Sequence, residues 1–349
     1  MPGRRARGAA QVGGLTRPRR ARAASRDDLA LGVDLGGTKI EVALLARPSG
    51  EVLLRTRAPT PRDEGYGAVL AAVAVLVRRA ARDAGVDLDR VPLGVGMPGA
   101  VTRAGLVKNS NTTCLNGRPF RADLARTLGR PVAFDNDANC FALAETLLGA
   151  AAPHREGVVF GVILGTGVGG GVVVFGRVWE GLHGIAGEWG HHAVFEGRGP
   201  LCYCGRRGCL ETFASGPAVE ADYARRAGAP LPLAEIARRR AGDVHAAAAI
   251  EGLLAAFGRG LANVIDVLDP SAVVLGGGVS NLDVLYDEGR ARRRRGLQRR
   301  AEDAHPAARP RRLRRRARRS AHRRLTLRPR GTRSAQRGSR APLHGAGSR

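Results

Sequence analysis

Three of the five cysteines in this 349-residue chain fall close together, at Cys202, Cys204 and Cys209, and His191 lies shortly upstream. Three thiolates and one imidazole complete a tetrahedral zinc shell. Glycines between the last two cysteines allow the chain to turn tightly enough to aim several sulfurs at one ion. The spacing predicts a structural zinc ion that pins this loop. The alternative is a disulfide in an exported protein, but the chain shows no apolar leader to support export.

Two assignments around this cluster stay open at the level of sequence. His192 is an equally placed imidazole and is the alternative metal ligand to His191. Cys114 and Cys140 lie in other segments without a metal-like spacing, so we expect them to be small buried apolar residues.

The net charge of +26 is concentrated at the two ends of the chain. Residues 290–349 hold 23 arginines against two acids, and residues 1–26 hold eight arginines and no acid. The 263 residues between them carry a net charge of −3, which is ordinary for a soluble enzyme of about two domains. Nucleic acid is therefore not an expected partner, except through the basic tail.

The two ends are predicted to be disordered. Residues 290–349 contain only five large apolar side chains, all leucine, which is too few to offset the entropy of ordering. The tail has three possible interpretations: a polybasic arm, a linker or a stretch translated out of frame. The abrupt change in amino-acid composition after Gly289 favours the last of these. The leader at 1–26 is too polar for a signal peptide. No run reaches the length of a membrane span, so we expect a cytoplasmic protein.

Between the ends, strands and helices alternate in two related halves. Gly32-Val-Asp-Leu-Gly-Gly-Thr resembles Gly161-Val-Ile-Leu-Gly-Thr-Gly, and each is a strand running into a glycine turn. This pattern predicts a duplicated α/β plan with domains at 27–133 and 134–289. The predicted elements are strands at 29–34, 40–45, 51–57, 93–97 and 272–275, and helices at 66–84, 138–148 and 244–268.

Three glycine-rich turns follow predicted strands, at 36–37, 165–171 and 276–278. Backbone N–H groups in such turns can reach phosphate oxygens because no side chain blocks them. Thr38 follows the first turn and Thr166 interrupts the second. The pattern favours nucleotide binding, although its spacing matches neither a Walker loop nor a dinucleotide fingerprint.

Carboxylates and amides alternate where a predicted strand passes into a helix, in the run from Phe134 to Cys140. Asp137 could cap this helix by accepting backbone N–H bonds. It could also act as a base that takes a proton from an attacking hydroxyl. The two roles are compatible, because a carboxylate at a helix N-terminus stays anionic.

Taken together and in order, these motifs resemble the ROK family of bacterial sugar kinases over about residues 29–289. The motifs are Asp34-Leu-Gly-Gly-Thr-Lys39, Asn136-Asp-Ala-Asn139, the 165–171 glycine run, Gly187-Glu-Trp-Gly-His191, the cysteine run ending at Glu211, and Gly276–Gly278. The resemblance implies an actin-like (ribonuclease H-like) duplicated ATPase fold of the α/β class. Its two domains enclose a cleft, and the zinc-pinned loop lies beside it.

The resemblance also implies roles for individual residues. Asp137 is the expected catalytic base, Asp34 orients Mg²⁺, and Lys39 is expected to be structural. The expected sugar-binding residues are Asn111, Asn136, Glu188, His191 and Glu211. The expected ATP-binding residues are Gly36, Gly37, Thr38, Gly165, Thr166, Gly167, Gly276, Gly277 and Gly278. His191 is expected to serve both zinc and sugar, which favours it over His192 as a ligand.

The activity implied is transfer of the ATP γ-phosphate to a hexose, with fructose to fructose 6-phosphate as the leading expectation. N-acetylglucosamine and glucose are the alternative substrates. A sugar-responsive repressor is an alternative of another class, although residues 1–26 are too few for a helix-turn-helix module. An inactive kinase is a further alternative, because the arginine-rich tail does not resemble the family's closing helix and strand. A homodimer is the expected assembly.

Overall fold

The computed structural model describes residues 28–196 and 198–289, together with the backbone of residues 323–326. Its first sheet has the order β3-β2-β1-β4-β7. The first three strands form the predicted antiparallel meander, and β4 and β7 run parallel to β1. A short hairpin of β5 and β6 lies outside this sheet. The strands are β1 (Leu29–Leu35), β2 (Lys39–Ala46), β3 (Glu51–Pro59), β4 (Leu93–Met97), β5 (Ala100–Val101), β6 (Val107–Lys108) and β7 (Ala133–Asn136).

Two helices, α1 (Tyr66–Ala84) and α2 (Phe120–Leu128), share the core of this sheet. Small and β-branched residues of α1, among them Val69, Val73 and Val77, are fully buried. The helix ends at Gly85, whose left-handed conformation lets its N–H bond the last carbonyls. The predicted limits of α1 and of β4 are confirmed.

The second sheet repeats the plan of the first, in the order β10-β9-β8-β11-β12. As in the first sheet, a meander is followed by a parallel strand, since β8 and β9 are antiparallel and β11 is parallel to β8. This half therefore confirms the predicted duplication. Its strands are β8 (Val158–Leu164), β9 (Val168–Val174), β10 (Arg177–Val178), β11 (Ala272–Gly276) and β12 (Arg323–Thr326).

The outermost strands break the symmetry. β7 is parallel to its neighbour β4, whereas β12 is antiparallel to β11. The expectation of disorder at 290–349 therefore does not hold for residues 323–326, which form a strand. The remainder of that segment and the leader at 1–26 lie outside the described residues. The interpretation of the tail as an out-of-frame stretch concerns those residues, so it stays a prediction.

In the part of the chain that the structure describes, α3 to α7 and a further helical segment accompany the second sheet. The helix α3 (Asp137–Leu147) packs on β8 and β9, and α7 packs against the three helices before it. α7 is apolar and long enough to span a membrane by composition alone, yet 56% of its most apolar window is buried in the fold, as in a core helix. Residues 284–289 are also helical. The remaining helices are α4 (Glu211–Ala214), α5 (Gly216–Ala227), α6 (Leu233–Arg239) and α7 (Val244–Leu268).

The chain changes sheets close to the predicted domain boundary at 133/134, which stays a prediction. β7 belongs to the first sheet and ends at Asn136, whereas α3 begins at Asp137 and packs on the second sheet. The chain thus crosses from one half to the other between these two residues.

Candidate active site

The site forms at the carboxyl ends of the parallel strands in the first sheet. Asp34 on β1 is in register with Gly96 on β4, and Gly96 is in register with Asp135 on β7. The carboxyl ends of such strands open into one crevice. A Cβ on Gly96 would lie 3.1 Å from Cys140 Sγ and 3.8 Å from the Cα of Asp137. Glycine therefore lets the first turn of α3 approach this edge closely.

The residue that caps α3 is Asn136, so the capping interpretation of Asp137 is wrong. Asn136 Oδ1 accepts bonds from the N–H groups of Ala138 (2.8 Å) and Asn139 (3.3 Å). Its Nδ2 donates to the carbonyl of Gly99 at 2.9 Å. Asp137 is the first helical residue, and its Oδ1 accepts from Ala138 N–H at 2.8 Å. Its Oδ2 has no hydrogen bond to another described residue.

The electrostatic environment of Asp137 suits a general base. Burial raises the pKa of Asp137 to about 6, the charges of Asp34 and Glu188 add to the increase, and the Ala138 N–H bond opposes it. The helix N-terminus therefore does not hold the pKa of this carboxyl at a low value. A carboxylate with a pKa near the working pH is largely ionised at neutrality and still accepts a proton readily.

Glu188 lies just before His191 and faces the same crevice. Burial raises its pKa, and Glu211 adds to this, whereas His191 and Lys108 lower it. Uncompensated carboxylates in a half-buried cleft are stabilised by donors such as sugar hydroxyls.

Asp34 has no cation within bonding distance among the described residues. Burial raises the pKa of Asp34, and the charge of Lys39 opposes this. The Lys39 side chain is 55% exposed and lies 4.0 Å from Glu41, as expected of a structural lysine. A desolvated carboxylate beside a glycine turn matches the oxygen donors that Mg²⁺ prefers.

Two glycine turns carry backbone N–H groups that no described residue accepts. They belong to Gly37 and Thr38 between β1 and β2, and to Thr166 and Gly167 between β8 and β9. Free N–H groups in such turns bind phosphate oxygens. Each of the two halves thus supplies one turn whose free N–H groups are suited to phosphate.

The third glycine run is used differently. A Cβ on Gly276 would lie 2.6 Å from the Phe141 ring, and one on Gly277 would lie 2.3 Å from the Leu164 carbonyl. These two glycines are required by packing. Gly278 has open space where a Cβ would stand, so it is the one of the three that a nucleotide could approach.

Glu211 joins the cysteine loop to the second glycine turn. Its Oε2 accepts a 2.8 Å bond from Val168 N–H. A Cβ on Gly167 would lie 2.7 Å from the same oxygen, so glycine is needed for this approach. Oε2 therefore ties the cysteine loop to this turn, and no described residue is hydrogen-bonded to Oε1.

The four predicted metal ligands converge. Their donor atoms all lie within 4.8 Å of one another, with His191 Nδ1 3.6 Å from Cys202 Sγ and Cys204 Sγ 3.6 Å from Cys209 Sγ. Zn–S bonds of 2.3 Å in a tetrahedron place sulfurs roughly 3.8 Å apart, so the cluster fits zinc. His192 instead turns its Nδ1 to the Trp189 carbonyl.

Asn111 lies against the glycine turn between β1 and β2. Its Oδ1 is 3.5 Å from the position of a Cβ on Gly37, and Thr112 Oγ1 is 3.7 Å from it. Thr112 is fully buried, and its hydroxyl has no partner among the described residues. The loop expected to hold sugar therefore packs directly on the turn expected to hold phosphate.

A cavity of about 560 Å³ borders this arrangement on the side of Asn136. Its lining includes the segments from Gly99 to Arg103 and from Glu180 to Gly184. Lys108 Nζ crosses between the two halves and donates to the carbonyl of His183 at 3.0 Å. The volume is adequate for a monosaccharide.

Several site residues were not assigned a role from sequence. Lys108 carries a usable signal, because Lys39 and Lys108 are the only lysines in an arginine-rich chain. Tyr203 contacts His191 from between two cysteines. Cys140 is exposed and Cys114 is half-buried, so the prediction that both are buried is wrong.

Comparisons with known proteins agree with this geometry. The model of the ROK family matches residues 30–317. The N-acetyl-D-glucosamine kinase of Photobacterium profundum is 38% identical over 268 residues, covering 74% of this chain and 86% of that protein. The ROK hexokinase of Thermus thermophilus is 39% identical with a TM-score of 0.66, covering 77% of this chain and 89% of that one. The ROK glucokinase of Streptomyces griseus, solved with glucose and AMPPNP, is 31% identical with a TM-score of 0.64 and the same coverages.

The chain belongs to the ROK family. Within that family it is an ATP-dependent sugar kinase with the actin-like ATPase fold. The expectations of family, fold and phosphotransferase class are confirmed.

Proposed function

We propose that this kinase phosphorylates an N-acetylhexosamine, with N-acetylglucosamine as the leading substrate. The observation that carries the catalytic assignment is Asp137. Its carboxyl has a pKa of about 6 and lies at the crossing between the halves, under the influence of Asp34 and Glu188. One of its oxygens is left for a substrate hydroxyl.

Asp137 takes the proton of the sugar hydroxyl as that oxygen attacks the γ-phosphorus. The new bond joins the sugar oxygen to phosphorus, and the bond from phosphorus to the β–γ bridging oxygen breaks. The electron pair of the broken bond leaves with ADP. The proton on Asp137 is then released to solvent, which its pKa near neutrality allows.

The ATP phosphates are proposed to bind the free N–H groups of the two glycine turns, at 37–38 and 166–167. Asp34 would hold Mg²⁺ or its waters beside them, and Mg²⁺ would neutralise the charge that develops on the phosphate oxygens. Gly278 would lie near the adenosine, whereas Gly276 and Gly277 shape the strand end.

The zinc proposed at His191, Cys202, Cys204 and Cys209 has a mechanical role. It would fix the loop that presents Glu188 and Glu211 to the sugar, because all four ligands belong to that loop and leave no open position for water. The sugar hydroxyls would be bound by these two carboxylates, His191 and Asn111. Asn136 contributes mainly by capping α3 and tying it to Gly99.

The choice of sugar follows from the relatives. The curated kinases that match this chain at 36–39% identity include several N-acetyl-D-glucosamine kinases. The leading expectation of fructose gains no support from the relatives described above. N-acetylglucosamine, the stated alternative, therefore becomes the leading substrate, and glucose follows because a solved neighbour binds it.

The test is ADP release by the purified chain with Mg-ATP and separate samples of N-acetylglucosamine, glucose, mannose and fructose. Asp137→Asn serves as the inactive control, and mass spectrometry with NMR locates the phosphate on the product. We expect turnover to be highest with N-acetylglucosamine and lost in the variant. Higher kcat/KM with fructose would overturn the substrate proposal. Unchanged turnover in Asp137→Asn would overturn the mechanism, and DNA binding released by sugar without turnover would favour the repressor alternative.

A cytoplasmic homodimer completes the proposal, in line with the sequence-based expectation. Light scattering coupled to size exclusion tests the assembly, and a monomer mass would overturn it.

A further inference from the structure

Tyr203 is an exposed aromatic residue whose hydroxyl turns back into the site. Its side chain is 78% exposed, although it lies between two metal-ligand cysteines. Its Oη is 3.0 Å from His191 Nε2. The two rings meet edge to face, with centroids 5.1 Å apart and planes at 89°. The side chain thus makes one polar contact and little packing.

That contact occupies the nitrogen of His191 through which a sugar would bind. His191 Nδ1 points to Cys202 Sγ at 3.6 Å, on the side of the metal cluster. Nε2 is therefore the ring nitrogen left for a substrate.

We propose that the hydroxyl of Tyr203 occupies the place of a sugar hydroxyl on His191 in the sugar-free enzyme and is displaced when sugar binds. The inference rests on the proposed function, because it takes His191 as a sugar-binding residue. The tyrosine keeps the imidazole N–H satisfied while the site is empty. It also competes with the substrate, so it lowers the affinity for sugar.

Displacement needs only rotation of the side chain. The backbone around Tyr203 is fixed by two turn bonds, from Cys202 N–H to the Arg206 carbonyl (2.7 Å) and from Gly205 N–H to the Cys202 carbonyl (2.9 Å). The ligand cysteines on either side restrain it further. The exposed ring can therefore leave His191 without moving the loop that zinc is proposed to fix.

The test compares Tyr203→Phe with the unmodified zinc-loaded chain by calorimetric titration of N-acetylglucosamine. The phenylalanine ring keeps the edge contact and removes the competing hydroxyl. Loss of one neutral hydrogen bond changes an equilibrium by about fivefold, so we expect the sugar Kd to fall about fivefold with unchanged zinc content. Tyr223→Phe is the matched control, because its hydroxyl bonds Asp243 away from the site; its sugar Kd should not change.

Tyrosine Cζ labelling supplies a second readout, since the chain has four tyrosines. One signal, absent in Tyr203→Phe, should shift when sugar is added. An unchanged or raised Kd in Tyr203→Phe, or a static Tyr203 signal during saturation, would overturn the proposal. Failure of the unmodified chain to bind N-acetylglucosamine, glucose, mannose or fructose would instead count against the proposed function.

Discussion

Replacing Asp137 by asparagine should inactivate the enzyme and at the same time stabilise its fold. The pKa of this carboxyl is raised from 3.8 to about 6. A pKa difference of this size between the unfolded and folded chain corresponds to about 3 kcal/mol in the free energy of unfolding. The cause is mainly burial, with like charges from Asp34 and Glu188. Asparagine removes the charge and keeps an oxygen that can accept the Ala138 N–H bond.

The sign of the effect follows from which state ionises first. As pH rises above 3.8, the carboxyl ionises in the unfolded chain, whereas in the folded chain it resists ionisation until about pH 6. The unmodified fold therefore loses stability over this interval, and the loss is complete above it. Relative to it, Asp137→Asn should gain about 3 kcal/mol in free energy of unfolding at pH 7.5 and about 1.6 kcal/mol at pH 5.

Urea unfolding followed by tryptophan fluorescence measures both values, and ADP release measures activity. Asp63→Asn is the matched control, because that carboxylate is 94% exposed and its removal should leave stability unchanged at either pH. In the unmodified enzyme, kcat/KM should fall to half its maximum as the pH is lowered to about 6. Equal stabilisation at the two pH values, or destabilisation of Asp137→Asn, would refute the reasoning.

Three further predictions concern the surroundings of this base. Gly167→Ala should lower kcat/KM about tenfold, because the new Cβ would stand 2.7 Å from Glu211 Oε2 and break its bond to the neighbouring turn; steady-state kinetics in both substrates measures this. Removing zinc with a chelator, or by Cys209→Ser, should lower the melting temperature and weaken sugar binding, with metal content followed by mass spectrometry. Lys108→Met should raise KM for sugar several-fold with little change in kcat, because it loses the bond to the His183 carbonyl and the charge that lowers the pKa of Glu188.

Each of these has a contrary outcome, and the substitutions at Gly167 and Lys108 each have a matched control. Gly242→Ala has open space for its Cβ and should leave the kinetics unchanged, whereas normal kinetics in Gly167→Ala would contradict the role of Glu211. A metal-free chain with full sugar affinity would show that zinc does not position the loop. Arg90→Met, at a side chain 68% exposed, controls for loss of one positive charge. A change confined to kcat in Lys108→Met would exclude a role in binding.

The regular elements were largely predictable because local chemistry marks their ends. The predicted limits of α1, β4 and α7 hold, since Gly85 stops α1 with a left-handed residue, and the Asp269-Pro270 pair closes α7. The metal ligands were predictable for the same reason, because their spacing lies within one short segment. His191 could be preferred to its neighbour only through the family resemblance.

Features that depend on distant contacts were not predictable. The residue that caps α3 is Asn136 and not Asp137. The Asn136 amide also donates to the carbonyl of Gly99, which lies 37 residues away in the sequence. The packing of Asn111 on Gly37 joins segments that share no local pattern. The antiparallel direction of β12 breaks the duplication that the rest of the fold obeys, and no sequence signal at 323–326 indicates it.

The bond between Glu211 and Val168 has a consequence for how the two substrates influence one another. One carboxylate is anchored to the turn proposed to hold phosphate while it faces the proposed sugar site. Any shift that sugar imposes on it is transmitted to the nucleotide through a single hydrogen bond. Thermodynamic linkage then requires reciprocity: the factor by which sugar alters ATP affinity must equal the factor by which ATP alters sugar affinity. The affinity of the enzyme for either substrate would therefore depend on whether the other is already bound, before phosphoryl transfer begins.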